Sequence, residues 1–307
     1  MINKDIGFLI DMDGVIYREN HLLPGALEWV QYMRENAIPF IFLTNNSAPT
    51  PDDLAIKLKH LGIPNLTEKN FYTAAMNTAD FLSETHPLCS VYSIGEAGLS
   101  SAFQSKKIPN DQLHPHYVVV GEGNPTLEKL NKAHELIEKG ARLIVTNPDN
   151  WCPVGSEKTR PGAGALAAYL EASTGQNGYY LGKPNPYMFA QARKKLGKNI
   201  SRVIMIGDTM ETDIRGAIEL GIEAYLVLSG STSLEDTLNY VYQPTRVLEG
   251  IHELLEEYKS GQPSDRKSSP TLSSLFHTND KNNSPLGSQH KDSQRLERRR
   301  SRPQMVK

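Results

Sequence analysis

The chain has 307 residues, 38% apolar and 22% charged, enough for one large domain or two modest ones and too ordinary in composition for a fibrous or wholly disordered protein. Its net charge of -2 gives no global attraction to nucleic acid or anionic membrane, and its two cysteines, Cys89 and Cys152, suit a reducing compartment better than a disulfide framework. No run reaches the roughly 18 apolar residues of a membrane span, and the N-terminus lacks the apolar core of a secretion signal, so a soluble, cytoplasmic protein is expected.

Along the chain, short apolar runs alternate with amphipathic ones. "GFLID" (Gly7–Asp11) reads as a buried strand, and "PGALEWVQYMREN", opened by Pro24, as a helix with one apolar face. "PFIFLT" (Pro39–Thr44) is a second buried strand. Thr50 and Pro51 supply the cap and first turn of the helix "PDDLAIKLKHLG", which Gly62 stops. This order predicts parallel βαβ units. "SVYSIG" (Ser90–Gly95), "YVVVG" (Tyr117–Gly121) and "RLIVTN" (Arg142–Asn147) read as further strands, with the helix "TLEKLNKAHELIEKG" before the last of them. "RPGAGALAAYLEASTG" predicts a helix started by Pro161 and stopped by Gly175. "YYLGKPNP", "RVIMIGDT" (Arg202–Thr209) and "EAYLVLSG" (Glu223–Gly230) complete the alternation. So many strands would overfill one sheet, and two are expected. Beyond about Ser260 the chain turns polar and basic, with 10 Lys/Arg against 4 Asp/Glu, and too few large apolar residues to offset the entropy of ordering; it is predicted to be disordered.

In open parallel sheets, the loops at the carboxyl ends of the strands make the site. Asp11-Met12-Asp13-Gly14 follows the first strand and Thr44-Asn45-Asn46-Ser47 the second; "YYLG" leads to Lys183, and "VIMIG" to Asp208 and Asp213. Alone, each is ordinary: a turn, a cap, a solvated lysine. A calcium loop is excluded, because Val15 and Ile16 stand where it needs an Asp or Asn and a Gly. Together the residues suit phosphate. A carboxylate can attack phosphorus and split one hard displacement into two, but each unit charge pair repels by roughly 4 kcal/mol at 4 Å and an effective dielectric of 20. Asp11 and Asp208 holding Mg²⁺, with Lys183 as a second cation, would offset that repulsion. Thr44 and Asn45 would donate to phosphate oxygens, and Asp13 would carry protons to the leaving alcohol and from the attacking water.

These motifs resemble the haloacid dehalogenase (HAD) superfamily of phosphohydrolases. "DMDGV", "LTNNS", "GKPNP" and "GDTMETD" match its four motifs in order. The resemblance implies Asp11 as nucleophile and Asp13 as acid and base. It implies Asp11, the Asp13 backbone carbonyl and Asp208 as Mg²⁺ ligands, with Asp213 supporting them. Thr44, Asn45, Asn46 and Lys183 would hold phosphate. The 138 residues between Thr44 and Lys183, with "TNNS", "GKPNPYMF" and "LSGSTS", look like the class IIA, NagD-like or para-nitrophenylphosphatase group. That group inserts an α/β cap and acts on small metabolite phosphates of nucleotide, sugar or glycerol type. The implied architecture is a doubly wound parallel core (1–80 and 179–260), a smaller α/β cap (81–178) and the tail (261–307). Association of copies through the cap is a further expectation. "TNPDNWCPVG" (Thr146–Gly155) is similar to the group's substrate-selecting loop, which makes Trp151 and Cys152 the specificity candidates. Cys152 also reads as a small buried hydrophobe, and a histidine expected there in pyridoxal phosphatases is missing.

Two other patterns weigh less. "VVVGEGNPT" has the first two glycines of a dinucleotide fingerprint, but Thr126 holds the third position, so a tight turn is expected. The tail segment "RLERRRSR" would suit an acidic partner or nucleic acid, and a solvated end explains it more simply. The expected activity is phosphomonoester hydrolysis. The alternatives are a phosphotransferase or mutase on the same scaffold and a phospho-acceptor signalling module, whose Thr-to-Lys spacing is much shorter.

Overall fold

The computed structural model describes residues 5–153 and 158–260; the tail and two residues of the expected selecting loop, Val154 and Gly155, lie outside them. The chain begins with β1 (Ile6–Ile10), a small hairpin of β2 (Tyr17–Arg18) and β3 (His21–Leu22), then β4 (Phe40–Thr44) and β5 (Phe71–Thr73). A second sheet is built from β6 (Val91–Ile94), β7 (Tyr117–Val120) and β8 (Arg142–Val145). A ribbon of β9 (Trp151–Pro153) and β10 (Thr159–Pro161) follows, and β11 (Tyr179–Tyr180) returns to the second sheet. β12 (Arg202–Gly207), β13 (Glu223–Val227) and β14 (Arg246–Leu248) complete the first. The large sheet has the order β14-β13-β12-β1-β4-β5, and the small one β11-β8-β7-β6. Every pairing in both is parallel.

Parallel sheets survive in water only with both faces covered, and the apolar runs provide for that. Every residue of β1 is buried. Phe8 and Ile10 point to one face, where Trp29, Val30 and Met33 of the helix Ala26–Glu35 and Leu254 of the helix Ile251–Ser260 pack on them. Leu9 points the other way, against Met188, Phe189 and Ala192 of the helix Pro186–Leu196. Phe8 meets Trp29 edge-on at 5.3 Å between ring centroids, a geometry that adds to simple burial. The helix Pro51–His60 starts where expected. Thr50 Oγ1 accepts from the Asp53 amide at 3.1 Å, and Asp53 Oδ2 accepts from the Thr50 amide at 2.9 Å, a complete capping box.

The small sheet repeats the plan. Val119 and Ile144 lie on the face covered by Ala75, Ala79 and Leu82, while Val118, Val120 and Val145 lie on the face covered by Leu136, Ala167 and Leu170. The two sheets belong to one compact unit, and the chain passes between them without a linker. The helix Ala74–Thr85 runs unbroken through the expected boundary at 80/81. Its Ala74 packs in the large-sheet core, and its Ala75, Ala79 and Leu82 in the small-sheet core. Residues 179 and 180, expected to begin the second core segment, instead form β11 and pair with Ile144 and Val145 of the small sheet. Pro161 does not open a helix either. It ends β10, paired with Trp151, and the following helix, Ala163–Thr174, starts after Gly162. The proline's fixed φ suits an extended ribbon as well as a first helical turn.

Candidate active site

β1 lies between β12 and β4, so the chain leaves it in opposite directions on its two sides. That is the switch point at which parallel sheets open a crevice beyond their carboxyl ends. Asp11 follows β1, Thr44 ends β4 and Asp208 follows β12, so three expected site residues project from adjacent strands. Asp213 reaches the same place from a short π-helical segment, Met210–Ile214. All three aspartates are buried, and one carboxylate oxygen of each lies within 4.8 Å of the others. Two glycines make room for them. A Cβ on Gly230 would stand 2.1 Å from Asp208 Oδ2, and one on Gly207 would stand 2.3 Å from the Asp213 Cβ.

Lys183 enters this cluster from the loop after β11. Its ammonium pairs with Asp11 Oδ1, reaches Asp213 Oδ1 at 2.7 Å and donates to the Leu43 carbonyl at 3.0 Å. The Asp11 and Leu43 contacts are hydrogen bonds, and the Asp213 contact is an ion pair. Expected to hold phosphate, it also pairs with and orients the aspartates. Burial disfavours its charged form, but Asp11 and Asp213 outweigh that and hold its pKa above the ordinary lysine value. Burial pushes the Asp11 carboxyl well up; Lys183 pulls it down, and Asp213 and Asp208 push it up again. Asp213 is likewise raised, first by burial.

The loop after β4 divides its labour differently from expectation. The Asn45 side chain is fully engaged. Its Oδ1 accepts from the Lys183 amide at 2.7 Å, and its Nδ2 donates to the Lys183 carbonyl at 3.2 Å and to Asp149 Oδ1 at 3.3 Å. Since the Lys183 amide must donate, the oxygen of Asn45 faces it and both N–H hydrogens are spent. Asn45 is therefore a strut joining three loops. The Thr44 hydroxyl accepts from the Asn46 amide at 3.1 Å and keeps its own hydrogen. Asn46 Oδ1 accepts from the Ala48 amide at 3.0 Å, and its Nδ2 has no partner among the described residues. Those two groups retain donors for a ligand.

Asp13 stands apart from the buried cluster. Its side chain reaches solvent, and its backbone bridges to Tyr17 in a turn made by Gly14, whose φ is 79°. Crowding by neighbouring atoms is the largest influence and raises its carboxyl. Lys57 pulls it back, Asp208 pushes it up and Arg18 pulls it down, leaving it above the ordinary value. Lys57 lies over the Tyr17 ring, 3.7 Å from its centroid, and Arg18 donates to the Ser229 carbonyl at 2.7 Å. Sequence reasoning passed over Tyr17, Arg18 and Lys57.

The small sheet presents its own carboxyl edge to this loop. Asn147 Nδ2 donates to the Asn45 carbonyl at 2.8 Å and to Glu122 Oε1 at 3.2 Å. Ser47 Oγ accepts from the Glu122 amide at 2.9 Å and the Thr146 hydroxyl at 3.0 Å. Glu122 is 3% exposed, and its carboxyl is pushed up to about 7 by burial first and then by Asp149, against Arg160 and the bond from Asn147. The turn read as a failed dinucleotide fingerprint thus contributes a buried acid. Of the two specificity candidates, Trp151 is 61% exposed and Cys152 is buried, its Sγ accepting from Arg160 Nε at 3.1 Å. Arg160 also pairs with Glu96 at 2.5 Å. Among the described residues, no hydrogen bond or ion pair connects Trp151 or Cys152 to the aspartates.

The donor set fits Mg²⁺. Its oxygens are hard carboxylates, which that ion prefers over sulfur or imidazole. With all three aspartates ionised, as a bound cation favours, one lysine leaves two negative charges in a buried place, the charge of one divalent cation.

The description haloacid dehalogenase-like hydrolase fits residues 8–108, and the related HAD-hydrolase-like description fits 180–254. A dihydroxyacetone phosphatase of Corynebacterium glutamicum is 37% identical over 253 residues, which are 82% of this chain and 91% of that protein. An acid sugar phosphatase of Staphylococcus aureus is 36% identical over 253 residues, 81% of this chain and 96% of its own. The crystal structure of NagD from E. coli K-12 superposes with a TM-score of 0.74 at 31% identity, covering 82% of this chain and 98% of that one. With its four motifs gathered at one switch point, the chain belongs to the haloacid dehalogenase-like hydrolases and, within them, to the NagD-like phosphatases.

Proposed function

We propose that this protein is a Mg²⁺-dependent phosphomonoester hydrolase that works through an aspartyl-phosphate on Asp11 and acts on small metabolite phosphates. The observation that carries the reading is the convergence of the Asp11, Asp208 and Asp213 carboxylates within 4.8 Å, with Lys183 bonded to two of them. The relatives named for dihydroxyacetone and acid sugar phosphate hydrolysis support a small, hydroxylated substrate. The small sheet, carried by residues between β5 and the Lys183 loop, acts as the cap.

Asp11, the Asp13 backbone carbonyl and Asp208 would hold the ion, with Asp213 fixed by Lys183 and by the Thr209 amide at 3.2 Å. Bound Mg²⁺ would offset the phosphoryl charge and polarise its oxygens. Lys183 favours the ionised form of Asp11 against the pull of burial and, by holding its Oδ1, leaves its other oxygen free to attack. Thr44 and Asn46 donate to the phosphoryl oxygens, while Asn45 holds the loop that presents them. Asp13 gives its proton to the leaving alcohol and later takes one from water. Its raised pKa suits a group that must hold a proton near its working pH.

The test is turnover of para-nitrophenyl phosphate with and without Mg²⁺, for wild type and Asp11→Asn. Wild type is expected to work only with the metal, and the variant not at all. Full turnover by Asp11→Asn, or none by wild type, overturns the reading.

A further inference from the structure

The chain crosses between the two sheets twice, once in the helix Ala74–Thr85 and once in residues 181–183, and a buried asparagine joins the two crossings. Asn77 is fully buried. Its Nδ2 donates to the Leu181 carbonyl at 2.7 Å. Its Oδ1 lies 3.1 Å from the Tyr72 hydroxyl, whose hydrogen also has Asp80 Oδ2 at 2.9 Å. The Leu181 carbonyl can only accept, so the amide nitrogen of Asn77 must face it. An apolar side chain would fill the same place without the cost of burying an amide. What the asparagine adds is the bond.

Leu181 stands two residues before Lys183. Its own amide donates to the Val145 carbonyl at 2.9 Å, and Asn77 is the donor to its carbonyl among the described residues. The rest of the loop is held in the same manner, by side-chain amides on backbone groups. Asn185 Nδ2 donates to the Tyr180 carbonyl at 2.7 Å, and Asn45 holds both the amide and the carbonyl of Lys183. Asn45 and Asn185 lie in the motifs "LTNNS" and "GKPNP"; Asn77 lies in none. The same helix also grips the chain beyond Lys183. Glu84 Oε2 accepts from the Tyr187 hydroxyl at 2.7 Å and from Gln191 Nε2 at 3.0 Å.

We propose that Asn77 is a positioning residue: through the Leu181 carbonyl it fixes the backbone from which Lys183 reaches Asp11 and Asp213. This rests on the phosphatase reading and deepens it. Asn77 itself makes no hydrogen bond to the aspartates or to Lys183. Without its N–H, the Leu181 carbonyl is buried and unpaired, and the peptide relaxes toward another donor. That motion carries Lys183 with it and misdirects the carboxylate that attacks phosphorus.

The test measures kcat and KM for para-nitrophenyl phosphate with Mg²⁺ in wild type, Asn77→Leu, Asn77→Ala and Tyr72→Phe. Hydrogen exchange is followed in the peptide spanning residues 180–185. Asn77→Leu keeps most of the volume and cannot donate, and Asn77→Ala suits the helix and leaves space. Both are expected to lower kcat about 10- to 100-fold, the scale on which misplaced catalytic groups act. KM should stay within about threefold, because the bond serves the transition state rather than binding. Exchange in 180–185 should quicken in both. Tyr72→Phe removes a buried hydroxyl from the same group but leaves the Leu181 bond, so its kcat should stay within about twofold of wild type. A purely structural asparagine would lower the melting temperature and leave kcat of the folded enzyme unchanged. Wild-type kcat in the folded Asn77 variants, an equal fall in Tyr72→Phe, or failure of both Asn77 variants to fold overturns the proposal and leaves the phosphatase reading standing. Wild type that hydrolyses no para-nitrophenyl phosphate refutes that reading itself and takes the proposal with it.

Discussion

The two sheets follow one plan and end in different chemistry. Each is parallel, is covered on both faces and carries acids beyond its strands. At the large sheet, Asp11, Asp208 and Asp213 crowd together with a single ammonium, an arrangement that invites a cation. At the small sheet, Glu122 and Asp149 are each held by a side-chain amide, from Asn147 and Asn45 respectively, in the same loop cluster as the Ser47 hydroxyl. Amides and hydroxyls satisfy a carboxylate without neutralising it. The first edge is therefore suited to binding metal and breaking a bond, and the second to docking and selection.

Substitutions on each edge can break or sharpen that contrast. After the loss of activity in Asp11→Asn, the largest effect is expected at Asp13: Asp13→Asn should lower kcat about 10²- to 10⁴-fold by removing the proton carrier. Mg²⁺ affinity should change little, because the side chain lies outside the buried cluster; calorimetric titration of the ion checks this. Next comes Lys183→Met, which strands two buried carboxylates. It should cost roughly 3–5 kcal/mol in urea unfolding without metal, and added Mg²⁺ should recover more stability in the variant than in wild type.

At the second edge the signature is pH. Glu122 is pushed up to about 7 from the ordinary glutamate value of 4.5, so the native state binds the proton more tightly than the unfolded one. That contribution is fully present below about pH 4.5 and is lost as pH rises through about 7. Glu122→Gln cannot ionise and can keep the bond from Asn147. It should match wild type at pH 4 and exceed its stability by about 3 kcal/mol at pH 8. Equal pH profiles would mean that Glu122 is not held as described. The smallest effect is expected away from both edges: Thr50→Ala breaks the capping box and should cost about 1 kcal/mol in unfolding, with activity intact.

Much of this was legible in the residues. The strands that build the first edge are apolar runs that end in Thr44 or are followed at once by Asp11 or Asp208, so the rule about carboxyl ends located the carboxylate cluster without a structure. What stayed hidden is instructive. Phe71–Thr73 and Arg246–Leu248 are three-residue strands, too short for any periodicity, and the ribbon of β9 and β10 pairs residues that carry no strand signal. At the second edge, Asn147 and Asp149 lie in the loop read as substrate-selecting, which drew attention to Trp151 and Cys152 instead, and Glu122 lies in the turn read as a partial dinucleotide fingerprint; the same carboxyl-end rule would have found all three. The contacts that Asn45 and Lys183 make with each other, with Asp149 and with the aspartates could not be read from the motifs. Sequence spacing tells which residues converge, but not which donors are spent.

The most direct test of the central claim is to quench Asp13→Asn during turnover of para-nitrophenyl phosphate with Mg²⁺ and map the peptides by mass. With the attacking water no longer activated, one phosphoryl group is expected on the Asp11 side chain. A phosphoryl group on any other residue, or none anywhere while product still forms, would contradict the account.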